Sequence, residues 1–384
     1  MKILFAADMS FNYLKPTSRE KAIEAMREPA ALFAAADFSM LNLENIFGTP
    51  QDGVPIPKSG PNLISDDSFA EYIHALKPSV IGLANNHSGD FGEVPMMNTI
   101  RMLRDSGYTV IGAGKNREDA YAPAILEKDG IRAAIIAVCE NEFGCATETK
   151  AGSAGYSLGC VTRAIRRVRE NGCRPIVYFH GGNEYDPFPS PGKTELYRHF
   201  IDLGAEAVIA MHTHCPQGYE MYEGKPIVYS MGNFFFPSEK LGRYASWKVG
   251  YLSELNLTAD KISLQVHPYR FDQNGIYRMH GEDLAHFTKY LEILCAPIPD
   301  DAEIQSWFDS WCLTQSYIPR LSTYEKEMFA DGKTEEIKHL KNIFGCEAHN
   351  ELIRNSMYMI YESRVEAART RVTMIEKLQR MELL

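Results

Sequence analysis

Two histidines separated by one residue, His212 and His214, are the first feature of this sequence that could do chemistry. They follow an apolar run that ends at Met211, so they are predicted to lie where a buried strand opens into a loop. Residues i and i+2 of an extended or tight loop point to the same side, and both imidazoles can therefore face one point. Imidazole nitrogen is a common ligand of zinc, iron and manganese, so the pair indicates a candidate metal site.

Four further apolar runs end in residues that can bind a metal or transfer a proton. The runs 2–7, 38–43, 79–84 and 175–179 have the length and composition of buried strands. The residues that follow them are Asp8, Glu44, Asn86 with its neighbour His87, and His180. Ligands of α/β sheets bind beyond the carboxyl ends of the strands, so we expect all these side chains to meet at one edge of a sheet.

The set has the composition of a two-metal hydrolytic site, which needs a bridging carboxylate and terminal nitrogen and oxygen ligands. Asp8 is predicted to bind the first ion and Glu44 to bridge the two. The remaining predicted ligands are the amide oxygen of Asn86 and the nitrogens of His180, His212 and His214. His87 is predicted to be the catalytic residue, which could protonate the leaving group or stabilise charge in the transition state. These ligand types favour up to two divalent ions of Mn, Fe or Zn.

Each of these residues alone has an ordinary interpretation. An aspartate after a strand is often a helix cap or a turn residue, and an Asn-Asn pair is typical of turns. Only the shared placement at strand ends favours a metal site over these alternatives. Lys193, Arg163, Arg166 and Arg167 are near the motifs in sequence and could reach an anionic ligand, although solvated helix charges are the simpler interpretation.

The elements that must position these residues alternate between strands and helices as far as about residue 255, which predicts a layered α/β domain. A helix is predicted over residues 19–36, and a closing antiparallel pair over 247–257 and 262–269. Beyond about residue 280 strand signals stop, and helices are predicted, among them residues 323–329 and an amphipathic stretch over 348–384.

This pattern predicts a catalytic domain over residues 1–280 and a helical region over 281–384 without catalytic residues. An apolar helical stripe of that length must be covered, because exposed apolar patches of such size are rare on monomers. The covering surface would be the core or a second copy, which would make a homo-oligomer through the C-terminal helices.

Composition excludes several classes of protein. The 384 residues carry a formal net charge of −10, which disfavours a nucleic-acid surface. No run reaches the roughly 18 uninterrupted apolar residues of a membrane span, and the N-terminus lacks the features of a signal peptide. The eight cysteines are scattered and form no C-x-x-C motif, so they are predicted to be reduced thiols. We therefore expect a cytoplasmic protein with no membrane span.

The order of these motifs resembles that of the calcineurin-like metallophosphoesterases, and within them the CapA group linked to capsule and poly-γ-glutamate synthesis. The resemblance covers roughly residues 1–255. The residues that carry it are Asp8, Asn42-Leu43-Glu44, Leu83-Ala84-Asn85-Asn86-His87 with Asp90 and Gly92, Gly112-Ala113-Gly114, His180-Gly181-Gly182-Asn183-Glu184-Tyr185, Ile201-Asp202-Leu203-Gly204-Ala205, His212-Thr213-His214 with Gln217 and Glu220, and Tyr229-Ser230-Met231-Gly232-Asn233-Phe234.

The resemblance implies a mixed α/β (α+β) fold, a four-layer α/β/β/α sandwich, here with a C-terminal helical appendage. It also implies a di-metal centre with the six ligands predicted above and His87 as the catalytic histidine. Two positions depart from the wider phosphoesterase pattern. Ser10 stands where the D-x-H motif has histidine, and Glu44 replaces the bridging aspartate. The CapA group shares both changes, which leave the first ion with fewer ligands.

The leading functional hypothesis is a metal-dependent hydrolase of the phosphoesterase type. Its substrate would be an anionic small molecule or polymer in capsule polysaccharide or poly-γ-glutamate metabolism, cleaved by water activated at the two ions. A second hypothesis is a hydrolase or ligase accessory that acts on γ-glutamyl amide bonds. A third is a non-catalytic component of a capsule assembly system that uses the metal for structure.

Overall fold

The structure, a computed structural model, describes residues 1–11, 14, 17–238, 244–315 and 334–383. Two large sheets form its centre. In spatial order, the first contains β18 (Gly275–Arg278), β17 (Ile262–Asp272), β16 (Val249–Leu257), β1 (Lys2–Met9), β2 (Phe38–Leu43), β5 (Val80–Gly82) and β6 (Thr109–Ile111), and β15 (Asn233–Phe235) also pairs with β1. The second contains β13 (Tyr219–Tyr222), β14 (Lys225–Val228), β12 (Ala207–Met211), β11 (Arg174–His180), β9 (Ile131–Cys139) and β8 (Ala124–Lys128).

Two short strand pairs and a set of helices complete the fold. The pairs are β3 (Ile46–Phe47) with β4 (Ile64–Ser65), and β7 (Ala113–Gly114) with β10 (Gly152–Ser153). The helices as far as residue 202 are α1 (Arg19–Ala25), α2 (Arg27–Ala35), α3 (Ala70–Leu76), α4 (Glu93–Asp105), α5 (Arg117–Ala120), α6 (Leu158–Glu170) and α7 (Pro191–Asp202). Those from residue 281 on are α8 (Gly281–Cys295), α9 (Asp301–Thr314), α10 (Thr334–Gly345), α11 (Glu347–Tyr361), α12 (Val365–Arg369) and α13 (Val372–Gln379).

The alternation of side chains along β9 shows how the layers stack. Ile136 and its neighbours at even positions pack with Ile165 of α6 and Phe200 of α7. Ile135 and its odd-numbered neighbours pack in the larger cluster that includes Phe5 of β1. Successive strand residues point to opposite faces, so the second sheet lies between a helical layer and the first sheet.

The two sheets contact each other directly, and more helices cover the other side. The Tyr178 ring of β11 stacks on Phe5 with ring centroids 5.9 Å apart, and its hydroxyl donates to the carbonyl of Ala6 at 2.5 Å. Helices α1 to α4 add residues such as Phe33 and Ile100 to the larger cluster. The predicted α/β class and the α/β/β/α order of layers are confirmed, and so is the antiparallel pair, which β16 and β17 form.

Two predicted helices are divided in the structure. Residues 19–36 form α1 and α2, because Pro29 in the first turn of α2 has no amide hydrogen and its ring would clash with the carbonyl four residues earlier in a continuous helix. Residues 348–384 contain α11, α12 and α13, and the chain turns at Ser363, whose φ of 58° is left-handed. The adjacent Arg364 pairs with Asp309 of α9, a tertiary contact that periodicity does not report. The helix predicted over 323–329 lies outside the described residues.

The helices after residue 280 pack on the layered core rather than standing apart from it. The Trp307 ring of α9 lies 4.4 Å from the ring of Phe188, which belongs to the loop after β11. Tyr290 of α8 is fully buried, and its hydroxyl donates to the carbonyl of Leu378 in α13 at 3.1 Å. Among the described helices, none has both the length and the apolar composition needed to cross a membrane. The division at residue 280 stays a prediction.

We expect Trp307→Ala to lower the free energy of unfolding by about 3–5 kcal/mol, as large-to-small substitutions of buried aromatic residues do. Trp307 contacts Phe188 on one side, and the Arg371 guanidinium lies 4.8 Å from its ring centroid. Tyr361→Ala, at a side chain that is 86% exposed, is the matched control and should change stability by less than about 0.5 kcal/mol. Urea denaturation measures both variants. Equal midpoints would mean that these helices are not integral to the fold.

Candidate metal centre

The predicted site residues come from the ends of strands in both sheets. Asp8 lies near the end of β1, and Glu44 directly follows β2. Asn86 and His87 follow β5 after a short turn, and these three strands belong to the first sheet. His180 ends β11, while His212 and His214 follow β12, and these strands belong to the second sheet. The expectation of a single sheet edge is therefore wrong, because the residues meet where the edges of two stacked sheets adjoin.

Glu44 is the centre of this arrangement. Its side chain is fully buried, and within the described part of the chain neither carboxylate oxygen has a hydrogen-bond partner. Three histidine nitrogens surround Oε1 at distances too long for hydrogen bonds: Nε2 of His180 at 3.7 Å, and Nε2 of His87 and of His214 at 3.8 Å each. A buried carboxylate without partners costs free energy, so this geometry fits a cation held between Glu44 and the imidazoles.

The six predicted ligands divide into two groups that share Glu44. Ligand atoms of Glu44, His180 and His212 lie within 4.8 Å of one another, and so do those of Asp8, Glu44 and His214. Asn86 joins the first group, because its Oδ1 lies 3.1 Å from Nε2 of His180. The structure thus brings all six residues together, in a pattern that could hold two ions with Glu44 between them.

The electrostatics of the centre suit a cation. Burial, together with neighbouring histidines, lowers the pKa of His180 and of His212 well below the ordinary value, and burial also lowers the pKa of His214. These imidazoles are neutral, as metal ligands must be. Burial, followed by the charges of Asp8 and Glu184, raises the pKa of Glu44 well above the ordinary value. A positive ion would reverse that penalty.

Outer hydrogen bonds fix the orientation of the predicted ligands. Asp8 accepts from the side-chain amide of Asn42 at 2.7 Å and from the backbone amide of His212 at 2.9 Å. Nδ1 of His214 lies 2.9 Å from Oδ1 of Asn233, which is the residue opposite Asp8 in β15. Such partners hold ligands in place and raise their affinity for metal. Asn42 and Asn233 were not predicted to have a role, although both lie within the motifs that carry the resemblance.

The backbone at the histidine pair is strained. His212 has a φ of 100° and His214 a φ of 55°, in the left-handed region that few residues other than glycine adopt. An extended or tight loop was predicted to aim both rings at one point, and in the structure this loop contains two residues in the left-handed conformation. Strain of this kind persists where the surrounding structure imposes it and is concentrated at functional sites.

His87 is held by two groups at its outer nitrogen. Nδ1 lies 2.7 Å from Oδ2 of Asp90 and 3.0 Å from Nζ of Lys58, while Lys58 also contacts Oδ1 of Asp90 at 2.5 Å. Burial, and then the charge of Lys58, lowers the pKa of His87. Its Nε2 consequently points toward Glu44 and the centre. Lys58 was missed in the sequence, because it lies in an irregular segment with no periodicity to place it.

The other cations considered in the sequence do not serve an anion at this centre. Lys193 is buried and pairs with Glu140, which also accepts from the backbone amide of Gly182 at 2.9 Å. Arg163, Arg166 and Arg167 are exposed on α6, as the simpler interpretation held. The Lys193 ammonium instead offsets the charge of the buried Glu140 carboxylate, next to the loop after β11.

The sequence itself decides which family the chain belongs to. Residues 3–238 match the profile of the bacterial capsule synthesis protein family PGA_cap, which is more than half of the chain. The chain belongs to this family. The PGA_cap region includes all six predicted ligands and His87, and the resemblance to the CapA group is confirmed.

Relatives of this PGA_cap chain include two with curated names. The capsule biosynthesis protein CapA of Bacillus anthracis is 28% identical over 231 residues, covering 56% of each chain. A Mycobacterium tuberculosis protein named "Probable polyglutamine synthesis accessory protein" is 28% identical over 240 residues, covering 57% of this chain and 62% of that one. The chain thus matches less than two thirds of the length of these relatives. The structure of a 5'-nucleotidase precursor from Thermus thermophilus superposes with a TM-score of 0.43 and 14% identity, covering 70% of this chain and 54% of that one.

Proposed function

We propose that this PGA_cap protein is a metal-dependent hydrolase of the phosphoesterase type. Its substrate would be an anionic small molecule or polymer of capsule polysaccharide or poly-γ-glutamate metabolism. The observation that carries the proposal is the buried Glu44 carboxylate, unpaired within the described residues and surrounded by three histidine nitrogens at 3.7 to 3.8 Å. Oxygen and imidazole ligands favour Mn, Fe or Zn.

The chain's own residues account for three parts of the reaction. Divalent ions bound at the centre would supply Lewis acidity and lower the pKa of water, which provides the nucleophile in hydrolytic sites. Asp8, Glu44, Asn86 and the three histidines would hold these ions. His87 would transfer a proton through Nε2 during the reaction, because Asp90 holds its other nitrogen at 2.7 Å and leaves Nε2 facing the centre. Lys58 holds Asp90 in turn, at 2.5 Å.

A second candidate is a non-catalytic, metal-binding component of a polymer assembly system. The Mycobacterium tuberculosis relative is named a probable polyglutamine synthesis accessory protein, and this name favours the second candidate. A hydrolase or ligase accessory that acts on γ-glutamyl amide bonds remains an alternative for the same centre. Its support is the name of a Bacillus subtilis relative, PGA biosynthesis protein CapA. A cytoplasmic location and a homo-oligomer through the C-terminal helices stay predictions.

A turnover assay separates these candidates. We expect chelator-treated protein to hydrolyse a generic phosphodiester only after Mn²⁺ is restored, because the nucleophile depends on the ions. A parallel incubation with poly-γ-glutamate, followed by product analysis, tests the amide alternative. Protein that binds metal and turns over neither substrate, with Mn²⁺, Fe²⁺ or Zn²⁺, would contradict the hydrolase proposal and favour the accessory role.

A further inference from the structure

A second group of metal-binding side chains lies outside the centre described above. It consists of Glu142, in the loop after β9, and of Cys346 and His349, at the start of α11. One oxygen, one sulfur and one nitrogen from these residues lie within 4.8 Å of one another. None of the three belongs to the six predicted ligands, although the charge of Glu142 also acts on His212 and Glu44 of the neighbouring centre. We call it the α11 site.

The spacing and chemistry of the α11 site match those of a zinc site. Cys346 is the N-cap of α11 and His349 lies three residues later in its first turn, a spacing at which a cap side chain can reach the first turn of the helix. Nε2 of His349 lies 3.6 Å from Oε1 of Glu142, longer than a normal hydrogen bond. Zinc binds nitrogen and carboxylate oxygen at about 2.0–2.2 Å, so an ion between these two atoms would separate them by about this distance.

The surroundings of the α11 site favour a cation. Sγ of Cys346 lies 3.8 Å from Oε2 of Glu140, a second carboxylate next to the group. Burial, with the charges of Glu140 and Glu142, raises the pKa of the Cys346 thiol well above the ordinary value. Glu142 and Glu140 also raise the pKa of His349 against the effect of burial, so a bound ion would displace a proton from the imidazole as well as from the thiol. The His349 side chain is 24% exposed and that of Glu142 is 9% exposed, which gives an ion a path from solvent.

We propose that Glu142, Cys346 and His349 bind a borderline-soft divalent cation, Zn²⁺ in the first instance, separately from the predicted two-metal centre. The ion would tie the start of α11 to the loop after β9. Other contacts already join the same turn of α11 to the site loops. Glu347 accepts from the backbone amide of Asn141 at 3.0 Å, and Glu351 accepts from the Ser190 hydroxyl at 2.6 Å. The α11 site would be the metal-dependent part of this connection.

Cobalt substitution gives a test that needs no turnover. Thiolate bound to Co²⁺ produces a near-ultraviolet charge-transfer band, and none of the six ligands predicted for the centre is a thiol. We expect the full-length protein to show this band when titrated with Co²⁺, and Cys346→Ser to lose it together with one equivalent of bound metal. Cys215→Ser is the matched control, because Cys215 is buried directly after His214, and this variant should keep the band.

Two variants protect the test against a folding defect. His349→Gln and Glu142→Gln each remove one ligand and should weaken Co²⁺ binding at this site by more than about 10–100-fold, the loss typical of an outer-shell partner. Glu44→Gln should keep the thiolate band even if the two-metal centre fails to load. Absence of the band in the wild-type protein would overturn the proposal, because Glu142 and His349 would then pair with each other without a metal ion. A band that persists in Cys346→Ser would overturn it too.

Discussion

Glu44→Gln is expected to lower the metal content of the two-metal centre from about two ions per chain to less than one, because both ions proposed there share this carboxylate. Any ion at the α11 site is counted apart from these two. The same substitution should raise the melting temperature of the metal-free protein. Without an ion, the native state buries a carboxylate that has no hydrogen-bond partner among the described residues. Replacing the carboxyl by a neutral amide removes the cost of either burying its charge or binding a proton, and should stabilise the metal-free protein at pH 7 by about 1–3 kcal/mol.

The sign of the pH dependence follows from the pKa of Glu44. Burial, with the charges of Asp8 and Glu184, raises this pKa, so the native state binds a proton that the unfolded state releases. The stability of the metal-free protein therefore falls as pH rises from the ordinary pKa of a glutamate toward the raised pKa of Glu44. In Glu44→Gln this part of the pH dependence should be absent.

Glu140→Gln is a matched control for which we expect the opposite effect on the stability of the metal-free protein. Glu140 is also a buried glutamate, but it pairs with Lys193, so Glu140→Gln leaves a buried cation without its counter-charge. Such a change should destabilise the metal-free protein by about 3–5 kcal/mol. Calorimetry with and without Mn²⁺, together with elemental analysis, measures all three proteins. A Glu44→Gln variant that binds as much metal as the wild type, or that melts lower without metal, would contradict the bridging role.

His87→Ala is expected to lower kcat by about 10²–10⁴-fold, the usual contribution of a general acid or base, while the metal content stays near that of the wild type. The reason is geometric. His87 faces Glu44 through Nε2 at 3.8 Å, but Asp90 and Lys58 hold its other nitrogen, so its assigned task is proton transfer rather than metal binding.

His199→Ala is the control for His87→Ala, because His199 is exposed on α7. It should leave both turnover and metal content unchanged. Steady-state kinetics at saturating Mn²⁺ and elemental analysis on the same samples separate the two effects. Full turnover in His87→Ala would remove this residue from the mechanism, and a parallel loss of metal would make it a ligand.

The strand-end residues could be predicted from sequence because a strand is short, apolar and directional. A polar residue directly after such a run, as at Asp8, Glu44 or His180, has its approximate place fixed by the strand alone. The structure brings these residues together as expected. Their division between two sheets was not predicted, since periodicity reports which faces of a strand are buried but not which strands pair.

The residues that were missed share a different origin. Lys58 and Glu142 lie in loops, where no periodicity fixes a position. His349 follows no strand and belongs to no motif in the sequence, and its approach to Glu142 depends on how α11 packs against the rest of the chain. Ser363 adopts a left-handed conformation in a stretch whose pattern predicts one continuous helix. Tertiary contacts decide all four, and one-dimensional patterns do not contain them.

Because the proposed ligands lie on two stacked sheets, the distances between them depend on the spacing between the sheets. Asp8 and Glu44 move with one layer, while His180 and His212 move with the other. A substitution in the contact between the two sheets, such as a smaller side chain at Phe5 against Tyr178, would change the distances between ligands although it replaces no ligand. Metal affinity would therefore depend on how the two sheets pack. A bound ion would in turn act as a cross-link that resists the sliding of one sheet over the other.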